Sequence, residues 1–366
     1  MNNSAKEKKL KSGQISVKPF VYNIPSISSV SIRFIILLLL QVIMLCITKS
    51  YNALLVTFAT LSGACIASVI NYFIIKEPFF NIMNIAIQGL FIGLLLPETY
   101  PPLTAFVIAF STITITRCIV FRSINSWLNT ATLAVIISWF IGRNYFPSFS
   151  VTSELLSLRN TSVYLIESGV FPIYSFDSSI TAFLNKYVFD FFKVTIPEGF
   201  ISLFWDSHSV IPAFRFNLLT IISSILIFSD NAFSMIIPTI FLTVYSIMVR
   251  LFVPFLFGGS FNQGDIILAL LTSGMLFSSV FLIQWYGTIP VTVAGKVLLG
   301  ALAGFTAFGI IGCGTSPVGM VYTVVITNLF SMVIRIFEEK HNEFITGKVV
   351  SKYSAKIIAE QQEAQK

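Results

Sequence analysis

Two sets of side chains in this 366-residue chain have the types and spacing to do chemistry. The first is the run Asp177, Ser178, Ser179, Ile180, Thr181. Beyond it, Ile180, Phe183, Leu184, Tyr187, Val188, Phe191 and Phe192 recur at helical spacing, with Asn185, Lys186, Asp190 and Lys193 on the opposite face. That periodicity predicts an amphipathic helix lying along a membrane surface or against a helical bundle. Asp177, Ser178 or Ser179 is the expected N-cap. Thr181 then falls in the first turn, where free N–H groups and the helix dipole favour an anion, so a phosphate esterified to its hydroxyl would be stabilised. Serine and threonine are also common in first turns as plain capping residues. The second set is neutral: Gln88, Thr272, Ser273, Ser278, Gln284, Thr288 and Thr292, all in apolar surroundings. Hydroxyls and amides can replace the water shell of an ion, and Gln88, Thr288 and Thr292 are the expected ion-path residues. The commoner duty of such groups is to satisfy helix backbone.

Other chemistries find little support. Cys46, Cys65, Cys118 and Cys313 stand singly, without a CxxC or Cys/His cluster, which argues against a zinc or self-contained iron–sulfur site. His208 and His341 are far apart. The net charge of +7 does not point to nucleic acid, because many of the Lys and Arg residues flank apolar runs.

The elements that must position these residues are membrane helices. The chain is 55% hydrophobic and 11% charged, against about 25% charge in a soluble domain. Apolar runs predict spans over Ile32–Thr48, Ala53–Ile75, Thr104–Val120, Asn129–Ile141, Asn217–Phe228, Ala232–Phe252, Asp265–Ile283, Val291–Ile311 and Val318–Phe337. The shorter Ile82–Leu96, ending at Pro97, is a full or a broken span. No cleavable signal peptide is expected, because the first apolar run is too long for a signal core. The expected organisation is a basic tail (1–31), five helices (32–141), an extramembrane insert carrying the amphipathic helix (142–213), five further helices (214–337) and a C-terminal tail (338–366). Lys6, Lys8, Lys9, Lys11, Lys18 and Arg33 precede the first helix, Arg117 and Arg122 lie near the fourth connection, and Arg335, Lys340, Lys348, Lys352, Lys356 and Lys366 close the chain. Ten crossings put all three groups on the cytoplasmic side and the insert outside. Lys49 and Arg250 are exceptions on the outer side.

The chain also repeats itself. Pro102-Leu103-Thr104 recurs as Pro290-Val291-Thr292, 188 positions later, and the same shift pairs Asn129 with Pro317. Five spans separate the copies, so the halves would be inverted, as in transporters with interrupted helices near the midplane. Gly89, Gly93, Pro97, Pro101 and Pro102 in one half, and Gly287, Pro290, Gly312, Gly314, Pro317 and Gly319 in the other, mark where backbone could be freed to line a wet cavity. Ordinary turns outside the membrane would show the same residues.

In order along the chain, these features resemble a known family. Ala86-Ile87-Gln88-Gly89-Leu90-Phe91-Ile92-Gly93-Leu94-Leu95-Leu96-Pro97, Asn125-Ser126-Trp127-Leu128-Asn129-Thr130-Ala131, Thr288-Ile289-Pro290-Val291-Thr292, and Pro317-Val318-Gly319 with Asn328 and Ile334-Arg335 resemble motifs of the RnfD-type membrane component of the Rnf electron-transport complex and of its NQR2-type counterpart in the sodium-translocating NADH:quinone reductase. The resemblance covers roughly residues 30–337.

It implies an all-α integral membrane fold of about ten helices in two inverted five-helix repeats, similar to urea transporters. It implies FMN bound covalently to threonine in a Ser-Gly-Ala-Thr motif, attached outside the cytoplasm by a flavin transferase, with a second, non-covalent flavin as a further expectation. Ser178-Ser179-Ile180-Thr181 falls at that motif, which makes Thr181 the implied acceptor with Ser178 and Ser179 beside it; Ser179 and Ile180 replace the family's Gly and Ala. It further implies other membrane subunits as electron partners, movement of Na⁺ or H⁺, and a multi-pass location in a bacterial cytoplasmic membrane with both termini in the cytoplasm. The alternative is a relative without flavin that passes a small solute or ion through the same fold.

Overall fold

A computed structural model of the chain describes residues 26–75, 80–117, 128–147, 153–158, 160–229, 233–285, 289–312 and 316–364. Fifteen α-helices follow one another among these residues, with no strand. The first five are α1 (Ile27–Ile47), α2 (Tyr51–Ile75), α3 (Phe80–Leu95), α4 (Pro102–Ile115) and α5 (Thr130–Ile141). Four short ones follow: α6 (Ser153–Leu156), α7 (Thr161–Glu167), α8 (Asp177–Leu184) and α9 (Phe200–Trp205). The last six are α10 (Asn217–Phe228), α11 (Ile236–Leu256), α12 (Ile266–Thr272), α13 (Met275–Phe281), α14 (Val293–Ile311) and α15 (Gly319–Ala364).

Five helices are long and apolar enough to cross a membrane: α1, α2, α11, α14 and the first part of α15. Four shorter apolar helices, α3, α4, α5 and α10, complete most of the expected set. Helix starts follow local chemistry. Ser26, Asn129, Asp265 and Thr292 each accept a backbone N–H at the start of α1, α5, α12 and α14, which satisfies a donor the helix cannot use itself. Proline occupies the first position of α4, where its missing N–H costs nothing.

Two elements differ from the sequence expectation. The span expected over Asp265–Ile283 is two helices, broken at Gly274 (φ +71°). In that left-handed conformation a Cβ would sit 2.1 Å from the Phe214 ring, so only glycine fits. The backbone freed there is partly served by Asn217, whose Nδ2 donates to the Leu271 carbonyl at 2.9 Å. The last helix, expected to end near Phe337, runs on to Ala364 as one 46-residue element.

The repeat read from the prolines extends to the packing. The 188-position shift carries α1 onto α10, α2 onto α11, α3 onto the α12–α13 pair, α4 onto α14 and α5 onto the start of α15. The same pairs touch in both halves: α2 with α4 and α11 with α14, α1 with α3 and α10 with α13, α4 with α5 and α14 with α15, α3 with α5 and α13 with α15. Small residues let backbones approach. A Cβ on Gly93 of α3 would lie 2.6 Å from the Thr57 Cα of α2, and one on Gly300 of α14 would lie 2.9 Å from the Ile237 carbonyl of α11. Between lipid-like surfaces, such close van der Waals contact is a main source of helix association.

Candidate functional site

The insert is organised around one buried carboxylate. Asp177 opens α8 and is fully buried. It is not the N-cap: that position is Phe176, which makes no side-chain cap bond. Instead the carboxylate turns inward. Its Oδ1 accepts from the Gly199 N–H at 2.8 Å and the Thr181 hydroxyl at 3.0 Å. Its Oδ2 accepts from the Ser202 N–H at 2.6 Å and the Ser202 hydroxyl at 2.7 Å. Burial works to raise the Asp177 pKa, but these hydrogen bonds outweigh it and hold the carboxyl below its ordinary value. The result is an ionised side chain that staples α8 to the start of α9.

Thr181 therefore stands elsewhere than the spacing predicted. It is the fifth residue of α8 rather than a first-turn residue, 4% exposed, with its hydroxyl committed to Asp177. Ser178 and Ser179 are exposed on the first turn. The α-helix ends at Leu184 and gives way to a π turn (Asn185–Phe189) and a 3₁₀ turn (Asp190–Phe192). The Asn185 amide bridges to both the N–H and the carbonyl of Ile196 and closes the loop. Phe183, Tyr187, Phe191 and Phe192 stay exposed, so the apolar face does not pack on this chain's own bundle.

A second buried carboxylate joins the insert to the bundle. Asp206 takes a two-pronged ion pair from Arg215, Nη2 to Oδ2 at 2.6 Å and Nε to Oδ1 at 3.0 Å. Arg215 Nη1 also donates to Ser50, between α1 and α2, at 2.6 Å. Burial opposes the charge on both partners, but the pairing wins: the Asp206 pKa is lowered and the Arg215 pKa is raised. Tyr174 links the two centres. Its N–H donates to Ser202, and its hydroxyl lies 3.2 Å from His208 Nε2 and 3.5 Å from Asp206 Oδ2. Beside α8, Phe176, Ile180, Ile201, Phe204, Trp205 and Leu218 line an apolar cleft of about 550 Å³.

A phosphate ester at Thr181 can be tested against this geometry. Its charge would sit beside a carboxylate that is already ionised, and esterification would remove the hydroxyl proton that Thr181 donates to Asp177. The threonine is also buried. In this arrangement the residues present do not fit the group.

The second candidate set assembles in the membrane core. Helices α3, α5 and α15 pack in sequence and α15 packs on α13. Ring contacts of Phe91 with Phe277 and Phe281, at 6.2 and 6.3 Å, close the ring from α3 to α13. Each of the four helices brings buried polar atoms without a hydrogen-bond partner: Gln88 Oε1, Thr130 Oγ1 with Asn129 Nδ2 at the start of α5, Ser278 Oγ, and both amide atoms of Asn328. Trp139 near the end of α5 meets Tyr322 near the start of α15 at 6.3 Å. Gln88 lies one turn from Phe91 on the same face. A buried unpaired amide or hydroxyl costs about 1–3 kcal/mol, so each of these groups calls for water or an ion.

Of the expected path residues, Gln88 and Ser278 belong to this unpartnered set. Thr292 does not: it caps α14, and its hydroxyl and N–H donate to Glu338 of α15. Thr288 lies outside the described residues. Thr272 and Ser273 bond to their own helix carbonyls, the commoner duty, and the Gln284 Oε1 accepts from the Ser234 N–H. Asn328 and Thr130 escaped the reading of the residues, although an amide in the middle of an apolar run was a visible signal.

The chain matches the family model described as NQR2, RnfD, RnfE family over residues 14–343. No curated protein matches it.

Proposed function

The chain belongs to the NQR2, RnfD, RnfE family, whose members are membrane subunits of redox-driven ion-translocating complexes, and from that premise we propose that it supports the movement of Na⁺ or H⁺ through the centre of its two-half bundle. The observation that carries this reading is the set of unpartnered, buried, neutral groups that four mutually packed helices contribute at Gln88, Thr130, Ser278 and Asn328. Neutral oxygens can replace the shell of a monovalent cation or hold a chain of waters. Partner subunits supply and remove the electrons. The two halves are inverted, the membrane is a bacterial cytoplasmic one, both termini face the cytoplasm and the insert faces outward; the basic residues at the two ends of the chain support this orientation.

Two readings divide on flavin. In the first, FMN is esterified to Thr181 by a flavin transferase, with a second flavin held non-covalently. The apolar cleft beside Ile180 and Trp205 favours it, as a place for a planar ring. In the second, the chain works without flavin at Thr181. The grip of Asp177 on the Thr181 hydroxyl favours this one, and it is the reading we adopt.

The test is made on the whole complex, isolated from a host that makes the transferase and run on a denaturing gel. We expect no flavin fluorescence in this chain's band. A fluorescent band that vanishes in Thr181→Ala would overturn the adopted reading and establish the first. Ion uptake by vesicles carrying the complex tests the ion path: Gln88→Leu should lower it by about tenfold, the scale of one lost coordinating contact.

A further inference from the structure

Arg250 sits near the end of the apolar helix α11, on the side of the molecule that carries the insert. The loop after α11 meets the insert there: Asp265 accepts the Ser162 N–H at 2.7 Å. Arg250 lies six residues before the end of α11 at Leu256, a rise of about 9 Å, and its long side chain reaches back along that rise to the Gly264 carbonyl in the loop beyond the helix end, as a snorkelling arginine does near a membrane interface.

The side chain is held in place. The Gly264 carbonyl accepts from Arg250 Nη1 at 3.1 Å, and the Gly264 N–H donates back to the Arg250 carbonyl at 3.0 Å. The Asn262 N–H reaches the Leu251 carbonyl at 3.3 Å. Glycine is required at 264, since a Cβ there would lie 2.1 Å from the Val249 carbonyl oxygen. One N–H of the guanidinium is thus used to fix its direction, and no carboxylate among the described residues pairs with it. Below it, Leu242, Ile247, Leu251 and Ile266 wall an open apolar groove of about 420 Å³, with Arg250 itself in the lining.

We propose that this groove holds one anionic phospholipid of the leaflet on the insert side, its phosphodiester on the Arg250 guanidinium and an acyl chain along Leu242, Ile247 and Leu251. Charge complementarity selects this occupant. A planar guanidinium with spare donors matches phosphate oxygens in a two-pronged bond, and an apolar trough leading away from it into the bilayer matches the attached chain. A free anion would leave the trough empty, and a protein helix would need its own acid to meet Arg250.

The experiment is native mass spectrometry of the full-length chain released from detergent, with phosphatidylglycerol, phosphatidylcholine and inorganic phosphate as probes. We expect the wild type to keep one phosphatidylglycerol in preference to phosphatidylcholine and to keep no phosphate. Arg250→Gln should weaken the phosphatidylglycerol by about tenfold or more, the loss of a charge-assisted pair. Ile247→Trp, which fills the trough and leaves the arginine, should lose it too. Unchanged retention in either folded variant overturns the proposal. So does equal retention of phosphatidylcholine, retention of phosphate, or a folded wild type that binds no lipid. The wild-type preference stands as a test even where a variant fails to fold.

Discussion

Helix α3 and the α12–α13 pair occupy equivalent places in the two halves, yet they are built in different ways. Helix α3 runs unbroken from Phe80 to Leu95 and is pressed onto α2 by Gly89 and Gly93. Its counterpart stops at Thr272 and restarts at Met275, with the turn before α10 filling the break: Phe214 against Gly274, and Asn217 on the Leu271 carbonyl. One half gains its position by close backbone contact, the other by plugging a gap with residues from the end of the insert. The insert touches the first half as well, where the Glu98 N–H donates to the Val210 carbonyl at 3.0 Å, but only in the second half does it fill a break in a helix. Arg215, which ties Asp206 to Ser50, lies between those two plugging residues.

Three substitutions would break or sharpen this contrast. The largest effect is expected from Gly274→Val. A β-branched residue in the left-handed region and a clash with Phe214 together should destabilise the chain by about 3–5 kcal/mol, seen as a lower melting temperature in detergent. If α12–α13 tolerates valine with no loss, the break is not fixed by Phe214. Gly93→Val comes next, at about 1–3 kcal/mol from overpacking, and its effect should be confined to the α2–α3 contact, read by crosslinking across that pair. Equal disruption of the α10–α13 contact would show that the halves do not move separately. The smallest is Gln88→Leu. Removing an unpaired buried acceptor should raise stability by about 1 kcal/mol while ion uptake falls. A stability loss there would mean that Gln88 has a structural partner.

Much of the fold was legible, because spans announce themselves by apolar length and the repeat by prolines at helix starts. Pro102 and Pro290 mark equivalent places for a local reason, since each precedes or opens a helix. The break at Gly274 was not legible. A glycine that lets two helices touch and a glycine that takes a positive φ look alike in sequence; Gly93 and Gly274 differ only in what surrounds them. The address of the insert site was legible from helical spacing, but its wiring was not. Gly199 and Ser202 lie 22 and 25 residues from Asp177, and no periodicity connects residues that meet across a loop. The same long-range pairing moved Asp177 from an expected cap to a buried staple. It also made the Thr181 hydroxyl one of the staple's donors.

Helix α15 behaves as a shaft in a bearing. At 1.5 Å per residue its 46 residues span about 69 Å, far more than a hydrocarbon core of about 30 Å. The bearing is Glu338, which takes the N–H groups of Val291 and Thr292 at 2.8 and 3.0 Å where the helix passes the start of α14. Beyond that collar about 39 Å of rod extends to Ala364. A tilt of roughly 10° at the collar would sweep the tip through roughly 7 Å over that length. A tilt that small, hardly felt among the packed side chains around Asn328, would therefore emerge at the far end of the rod as a displacement larger than a helical turn.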